Sequence, residues 1–419
     1  MNSQERLIAT LNHHEPDRVP VDFGATAVTG MHVSAVTRLR RAVLGDPNYR
    51  VKVIDPYQML GEIDAELLDA LEIDVVGIPG RTTIFGFENR DWKPFRMFDG
   101  LEVLVPGDFQ VAEDDRGGWV IFPQGDRTAP PSGRMPRGFY FFDTIIRQEP
   151  LDEDRLDPTD NLEEFRLFDH NDVDWYRRQI ESPPGGTLRG AVLNMPGAAF
   201  GDIALVPAPW LKHPKGIRDI AEWYMATAAH KDYVLQVFER QCEIALKNLE
   251  TLIDLLGDRV QVVFLTGTDF GTQHGLFISR QAYRELYKPF HLRVNRLVHE
   301  KSRWKTFTHT CGAIATLIPD LIEAGFDILN PVQCSADGMD PIFLKREFGD
   351  HVVFWGGGAN TQQTLAFGLP EDVYREVRKR IDIFGPGGGF VFNTVHNVQA
   401  TTPTENILAM FRALRDSHV

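Results

Sequence analysis

The feature that most constrains this chain is a strand–loop–helix rhythm. From residue 187 onward, short β-prone runs alternate with helical patterns. GTLRGAVLNM comes first, and two helical patterns fill His213–Leu256. Then come VQVVFLTG, WKTFTH, FDILN, HVVFWGGG and GFVFNT, each followed by a polar or glycine-rich loop and a helix. Such alternation builds βαβ units and a parallel sheet, because a crossover helix returns the chain to run the same way. Three more strand candidates (RVPVDFG, VKVID and IDVVGIPG) lie near the N-terminus. Helices are expected from Ser3, which can cap the first before Pro16 stops it, over Val33–Leu44 and across Met59–Leu71. The resulting eight or nine strands match the number a (β/α)8 TIM-type barrel needs, with a doubly wound sheet as the other compatible arrangement.

The rhythm breaks over residues 85–186, where β-prone runs are separated by DG, PGD and GG turns, as in hairpins. We read residues 1–84 and 187–419 as the barrel and 85–186 as a β-rich insertion, forming a lid or a small subdomain. That division accommodates 419 residues in one inserted barrel rather than two or three domains. The acidic stretch Asp152–Asp174 reads as a solvated connection. The aromatics Trp92, Phe95, Phe98, Trp119 and Phe139–Phe142 are lid or core residues.

A formal net charge of −15 disfavours nucleic acid and anionic membranes as partners, since neither polyanion would be neutralised. No apolar run is long enough to span a bilayer, and the first residues lack a signal core. Three cysteines cannot build a disulfide framework, so a cytoplasmic, reducing location is expected.

In either parallel fold, chemistry sits just past the C-terminal strand ends. There the sequence places Thr266-Gly267-Thr268-Asp269, Gly271-Thr272-Gln273-His274, Thr308-His309-Thr310-Cys311-Gly312, Gln333, Cys334, GGGAN with Thr361, and His396. An imidazole and a thiol two residues apart at a strand end can meet one metal ion. They can equally be a hydrogen-bonded loop histidine and a buried small hydrophobe. Cys242, within a helical pattern, reads as packing, and Cys334 is open to either role. GGGAN can offer backbone N–H groups to an anion, whereas GPGGG precedes a strand and reads as a helix-ending turn. No dinucleotide, P-loop, nucleophile-elbow or H-E-x-x-H pattern is present.

Four segments resemble the uroporphyrinogen decarboxylase superfamily, and within it the zinc- and corrinoid-linked methyltransferase branch. They are ERLIATLNHHEPDRVPVDFG, TDFGTQHGLFISRQAYRELYKPF, THTCGAIATLIPDLIEAGFDILNPVQ and TPTENILAMFRAL. The resemblance implies an (α/β)8 barrel with its site at the C-terminal face. True uroporphyrinogen decarboxylases open with an arginine-bearing M-R-Q-A-G-R-Y segment. The equivalent stretch here, VPVDFGATAVTGMH, has no arginine, which speaks against porphyrinogen decarboxylation.

The methyltransferase branch uses H-x-C and a later cysteine shortly before T-P-x-E-N-I. His309 and Cys311 match, and the third position falls on His396. The resemblance therefore implies zinc on His309, Cys311 and His396, with Asp269 as a fourth ligand or as the base that orients or deprotonates the reacting group. Gln273, His274, Asn330 and Asn360 are expected to line the pocket. The implied reaction moves a methyl group between a small methylated substrate and a corrinoid (cobalamin). This chain has no D-x-H-x-x-G segment, so the corrinoid is expected on a partner protein. A homodimer is common in the superfamily. The alternatives are a metal-free decarboxylase or lyase on the same barrel, using Asp269 and His396 as proton carriers, and a non-catalytic small-molecule binding protein.

Overall fold

The computed structural model describes residues 1–152, 155–181 and 188–417. Seven strands form one sheet in chain order. They are β1 (Val75–Ile78), β2 (Gly190–Asn194), β3 (Val262–Thr266), β4 (Lys305–His309), β5 (Ile328–Asn330), β6 (Val353–Trp355) and β7 (Phe390–Val391). Every neighbouring pair is parallel. The gap between β7 and β1 is bridged by the chain around residue 21, where Val21 pairs with Phe392 and Asp22 with Val75, both parallel. Backbone bonds from Asp22 N to the Phe392 carbonyl (2.9 Å) and from Asp74 N to the Val21 carbonyl (2.8 Å) complete the ring. The fold is a TIM-type barrel, so the doubly wound alternative falls.

Side chains alternate across each strand. One set fills the barrel: Val75, Val192, Val262, Phe264, Phe307, Ile328, Val353, Trp355 and Val391 form a separate apolar cluster with Leu7 and Leu11. The latter two belong to the helix Ser3–Leu11, which therefore plugs the N-terminal end of the ring. Gly190 admits this plug, because a Cβ there would lie 2.2 Å from Leu7 Cδ2. Continuing the same alternation by two residues carries Phe307 to His309 and Ile328 to Asn330. A polar layer thus sits on top of the apolar one.

Some local expectations shift. Asn2, not Ser3, caps the first helix, in a reciprocal pair with Glu5 (2.9 and 3.0 Å). The VKVID run is not a barrel stave. Val53–Asp55 pairs antiparallel with Leu60–Gly61, a turn made possible by Met59 at φ 52°, and the surplus strand candidate is thereby explained. The helix expected across Met59–Leu71 shortens to Ala65–Ala70, started by Asp64 accepting from Leu67 N at 2.9 Å.

Between β1 and β2, Lys93–Arg96 pairs with Glu102–Val105. Val111–Glu113, Trp119–Ile121, Gly133–Met135 and Asp143–Thr144 form a second antiparallel sheet. Most of its aromatics pack on one another: Phe98 stacks on Trp119 at 3.6 Å, with Phe95 edge-on at 4.8 Å. Phe139 and Phe141 remain exposed. The described part of the acidic stretch 152–174 is anchored rather than solvated. Asp172 is buried and accepts from Arg81 (2.8 Å) and Arg166 (2.6 Å), while buried Asn161 accepts from Ile217 N (2.8 Å). The 186/187 boundary lies outside the described residues. Among those described, no helix is long and apolar enough to cross a membrane.

Candidate metal centre at the barrel mouth

His309 ends β4 and Cys311 follows in the loop, while His396 stands in the loop after β7. One ligand atom from each lies within 4.8 Å of the others. His309 Nε2 is 3.3 Å from Cys311 Sγ, and the two imidazole rings meet edge-on with centroids 5.9 Å apart. The other nitrogen of His309 is fixed from behind. Asn330 donates its amide to the Trp355 carbonyl (2.8 Å), so its Oδ1 faces His309 Nδ1 at 2.5 Å. A carbonyl can only accept, and the Asn330 orientation follows. Nδ1 must then carry the proton, leaving the Nε2 lone pair directed at the other two donors.

Burial shapes the electrostatics. His309 is pushed below the ordinary histidine range by desolvation, against the opposing pull of Asp269 and Asn330. His396 falls to about 4 through burial and the nearby His309. Both are neutral imidazoles at neutral pH, as metal donors must be. Burial and the Asp269 charge push the Cys311 thiol well up, a state that a divalent cation reverses. Two nitrogens and one sulfur are a donor set compatible with zinc.

Asp269 meets this group from β3's loop. Its Oδ1 accepts from Cys311 N at 2.7 Å and lies 3.9 Å from His309 Nε2, while 26% of its side chain is exposed. Of the expected lining residues, only Asn330 contacts a donor. Gln273 and His274 sit on the surface. His274 is 81% exposed and bonded to Asp337 at 3.1 Å, while Gln273 ties to the Ser335 carbonyl and to Gln333. Asn360 is buried, but its Oδ1 caps Gln362 N at 2.9 Å. Cys334 lies outside the donor group, and Cys242 is buried in the helix Lys231–Leu256. The GGGAN loop is no anion cradle: Gly356 N and Gly358 N bond to the Val391 and Asn393 carbonyls, and Gly358 packs on the Phe392 ring.

Three contributors carried no strong motif. Gln333 accepts from Gly312 N (2.9 Å) and steadies the Cys311 loop; its position past a strand end was the only signal. Asp202 lies buried beside Gly267, and Tyr224 donates its hydroxyl to the Asp269 carbonyl at 3.0 Å. Both come from a long β2 connection whose path periodicity does not foretell.

Comparison with known proteins places this geometry. Residues 203–417, just over half the chain, match the uroporphyrinogen decarboxylase (URO-D) family. The chain belongs to that family. Among curated relatives, the uroporphyrinogen decarboxylase of Dechloromonas aromatica is 34% identical over 88 residues, 20% of this chain and 24% of that protein. That of Aromatoleum aromaticum is 29% identical over 140 residues, 32% of this chain and 36% of the relative. The match thus spans well under two thirds of either relative. Among solved structures, a methyltransferase from Methanosarcina mazei superposes with a TM-score of 0.56 over 100% of both chains at 14% identity, which shows a shared fold. In this uroporphyrinogen decarboxylase-family chain, the three metal-type donors occupy the barrel's C-terminal face.

Proposed function

We propose that this chain is a zinc-dependent methyltransferase that moves a methyl group between a small methylated substrate and a corrinoid carried by a partner protein. The observation that carries the reading is the convergence of two imidazoles and a thiol, His309, His396 and Cys311, within 4.8 Å. The full-length shared fold with the Methanosarcina mazei methyltransferase supports it. Zinc, when bound, supplies Lewis acidity toward an oxygen or lowers the pKa of a thiol. Within the chain, Asn330 orients His309, and Asp269 holds the Cys311 backbone. The exposed part of the Asp269 carboxylate orients the reacting group or takes its proton. Three free cysteines suit a reducing compartment, and we place the protein in the cytoplasm.

The test is elemental analysis of chelator-washed protein, paired with methylation of cob(I)alamin across aryl methyl ethers, methylamines, methanol and betaine-like donors. The expected result is about one zinc per chain, lost in the Cys311→Ser/His396→Ala double variant. No bound metal, or unchanged metal in that variant, overturns the zinc assignment. Chelator-insensitive turnover without any corrinoid would instead favour a decarboxylase or lyase, the activity named for the curated relatives.

A further inference from the structure

The apolar filling of the barrel is overlaid by a layer of amides. Asn194 follows Val192 on β2, Asn330 follows Ile328 on β5, and Asn393 follows Val391 just past β7. Each stands two residues beyond a member of the interior cluster, in the inward phase of its strand. Phe392 still pairs with Val21, so the alternation runs on to Asn393. The amide nitrogens of all three are committed to backbone carbonyls. Asn194 Nδ2 donates to the Ala25 (2.9 Å) and Ile78 (3.3 Å) carbonyls, and Asn330 Nδ2 to that of Trp355 (2.8 Å). Asn393 Nδ2 donates to the Asp22 (2.6 Å) and Thr29 (3.2 Å) carbonyls. A carbonyl only accepts, so each amide has one orientation, with its oxygen turned away from those carbonyls.

Of the three oxygens, that of Asn330 is taken by His309 Nδ1. Asn393 is 0% exposed, and among the described residues its buried Oδ1 has no hydrogen-bond partner. Asn194 is half-buried, and among the described residues only its nitrogen is bonded. A buried acceptor without a donor keeps its full desolvation penalty, which a donor on a ligand would relieve. Contacts join these amides to the donor triad. A Cβ on Gly356 would lie 2.9 Å from the Thr394 carbonyl and 3.2 Å from Asn330 Nδ2, so the chain just after Asn393 packs beside the amide that orients His309. His396 follows in the same segment, with its ring edge-on to that of His309. Asn194 and Asn393 are themselves linked through the loop after Asp22. One holds its Ala25 carbonyl, the other its Asp22 and Thr29 carbonyls, and Gly24 N closes the loop on the Thr29 carbonyl at 2.8 Å.

We propose that Asn194 and Asn393 determine substrate specificity, and that they select a small methylated compound bearing an O–H or N–H donor. Their oxygens accept from that donor while the methyl-bearing end faces His309, Cys311 and His396. All three amides turn oxygen inward and none turns an N–H inward, so the layer offers acceptors alone. A hydroxyl or a protonated amine finds a partner there. A fully substituted ammonium or a plain ether does not, and a site built to accept from a donor rejects the analogue lacking one. The proposal rests on the methyl-transfer reading for the fate of the methyl group, but not for the polarity of the site.

The experiment is calorimetric titration of the full chain, with and without zinc, using two matched pairs of probes. Methoxytoluene carries a methyl where methoxyphenol has its hydroxyl, and tetramethylammonium lacks the one N–H of trimethylammonium. In at least one pair the donor-bearing member is expected to bind roughly tenfold tighter, and the pair that shows this tells a hydroxyl from an ammonium. Asn194→Ala should weaken that member about tenfold and leave its partner unchanged, whereas an amide with a purely structural role would weaken both alike. Asn393→Ala should act in the same way. No preference in either pair, no measurable binding of any probe, or a parallel loss of both members in the variants overturns the proposal. Zinc content and cob(I)alamin methylation on the same samples keep the two readings apart. Donor preference without metal or transfer would sink the methyltransferase reading and leave the acceptor pair standing, and transfer without donor preference would do the reverse.

Discussion

Asn330 Oδ1 lies 2.5 Å from His309 Nδ1, while the Asn330 amide is committed to the Trp355 carbonyl. One side chain thus fixes both the tautomer and the angle of a metal-type donor. Asn330→Ala should lower zinc affinity by roughly 10- to 100-fold, the usual effect of losing such a partner. Competition with a chromogenic chelator measures it. Asn330→Asp, which still accepts from Nδ1, should recover much of the loss. Equal affinity in wild type and Asn330→Ala would show that the contact does not prepare the site.

Gly312 follows Cys311 with φ 92°, and a Cβ there would fall 2.5 Å from Gly271 C and from Thr272 O. Both obstacles are backbone, so an alanine must push the β3 and β4 loops apart. Those loops carry Asp269 and Cys311. Gly312→Ala should therefore cut zinc affinity by at least about tenfold while the circular-dichroism spectrum stays barrel-like. A variant that binds zinc as wild type does would mean the loops relax without moving the donors.

The barrel was legible because most of its strands are short apolar runs, each followed by a polar loop and a helix from residue 190 on, and because position 309 continues the inward phase of Phe307. Parallel strands buried on both faces declare themselves in sequence as continuous apolar runs. The donor set His309, Cys311 and His396 came through resemblance, and the distances give it a geometry that spacing alone could not supply. VKVID misled because an apolar run does not say which sheet it joins, and its turn depends on Met59 in a left-handed conformation. Gln273 and His274 were placed in the pocket because they follow a strand, yet the loop swings them outward to Ser335 and Asp337. Asp202 and Tyr224 stayed hidden because loop paths are set by tertiary packing rather than by local period.

Asp320 is buried and gathers Arg280 (2.9 Å), Arg284 (2.6 Å) and Lys288 (3.2 Å), which ties the helix Ile318–Glu323 to the chain before β4. Burial works to raise its carboxyl, but the hydrogen bonds from Arg284, Arg280 and Lys288 outweigh it and hold the group at about 2. A depressed folded pKa stabilises the fold above the unfolded value and loses that contribution as pH falls through the folded one. Asp320→Asn should thus cost about 2 kcal/mol at neutral pH. The gap from wild type should stay constant above the ordinary carboxylate range and close as pH drops from 3.8 toward 2. Urea midpoints across that range are the measurement, and a gap that persists at the acid end would contradict the assignment.

Leu7 closes the apolar interior from below and is fully buried. Leu7→Ala would leave a void under β2 that Gly190, having no side chain, cannot fill. A loss of about 3 kcal/mol in unfolding free energy is expected, with zinc affinity unchanged because the donors stand at the opposite end. Loss of zinc binding in this variant would mean the two ends of the barrel are coupled.

Asp269 offers the sharpest separation of holding a site from acting in it. Its Oδ1 accepts from Cys311 N at 2.7 Å, a bond that an asparagine oxygen can also accept, so Asp269→Asn should preserve the Cys311 loop. What the substitution removes is the negative charge 3.9 Å from His309 Nε2 and the capacity to take a proton. If the carboxylate orients or deprotonates the reacting group, zinc content should stay close to wild type. Methyl transfer to cob(I)alamin should then fall by roughly 100-fold or more, the ordinary weight of a general base. A parallel loss of metal and activity would instead make Asp269 a metal ligand. Full activity with full metal would remove it from the reaction altogether, leaving the donor triad to act without a neighbouring base.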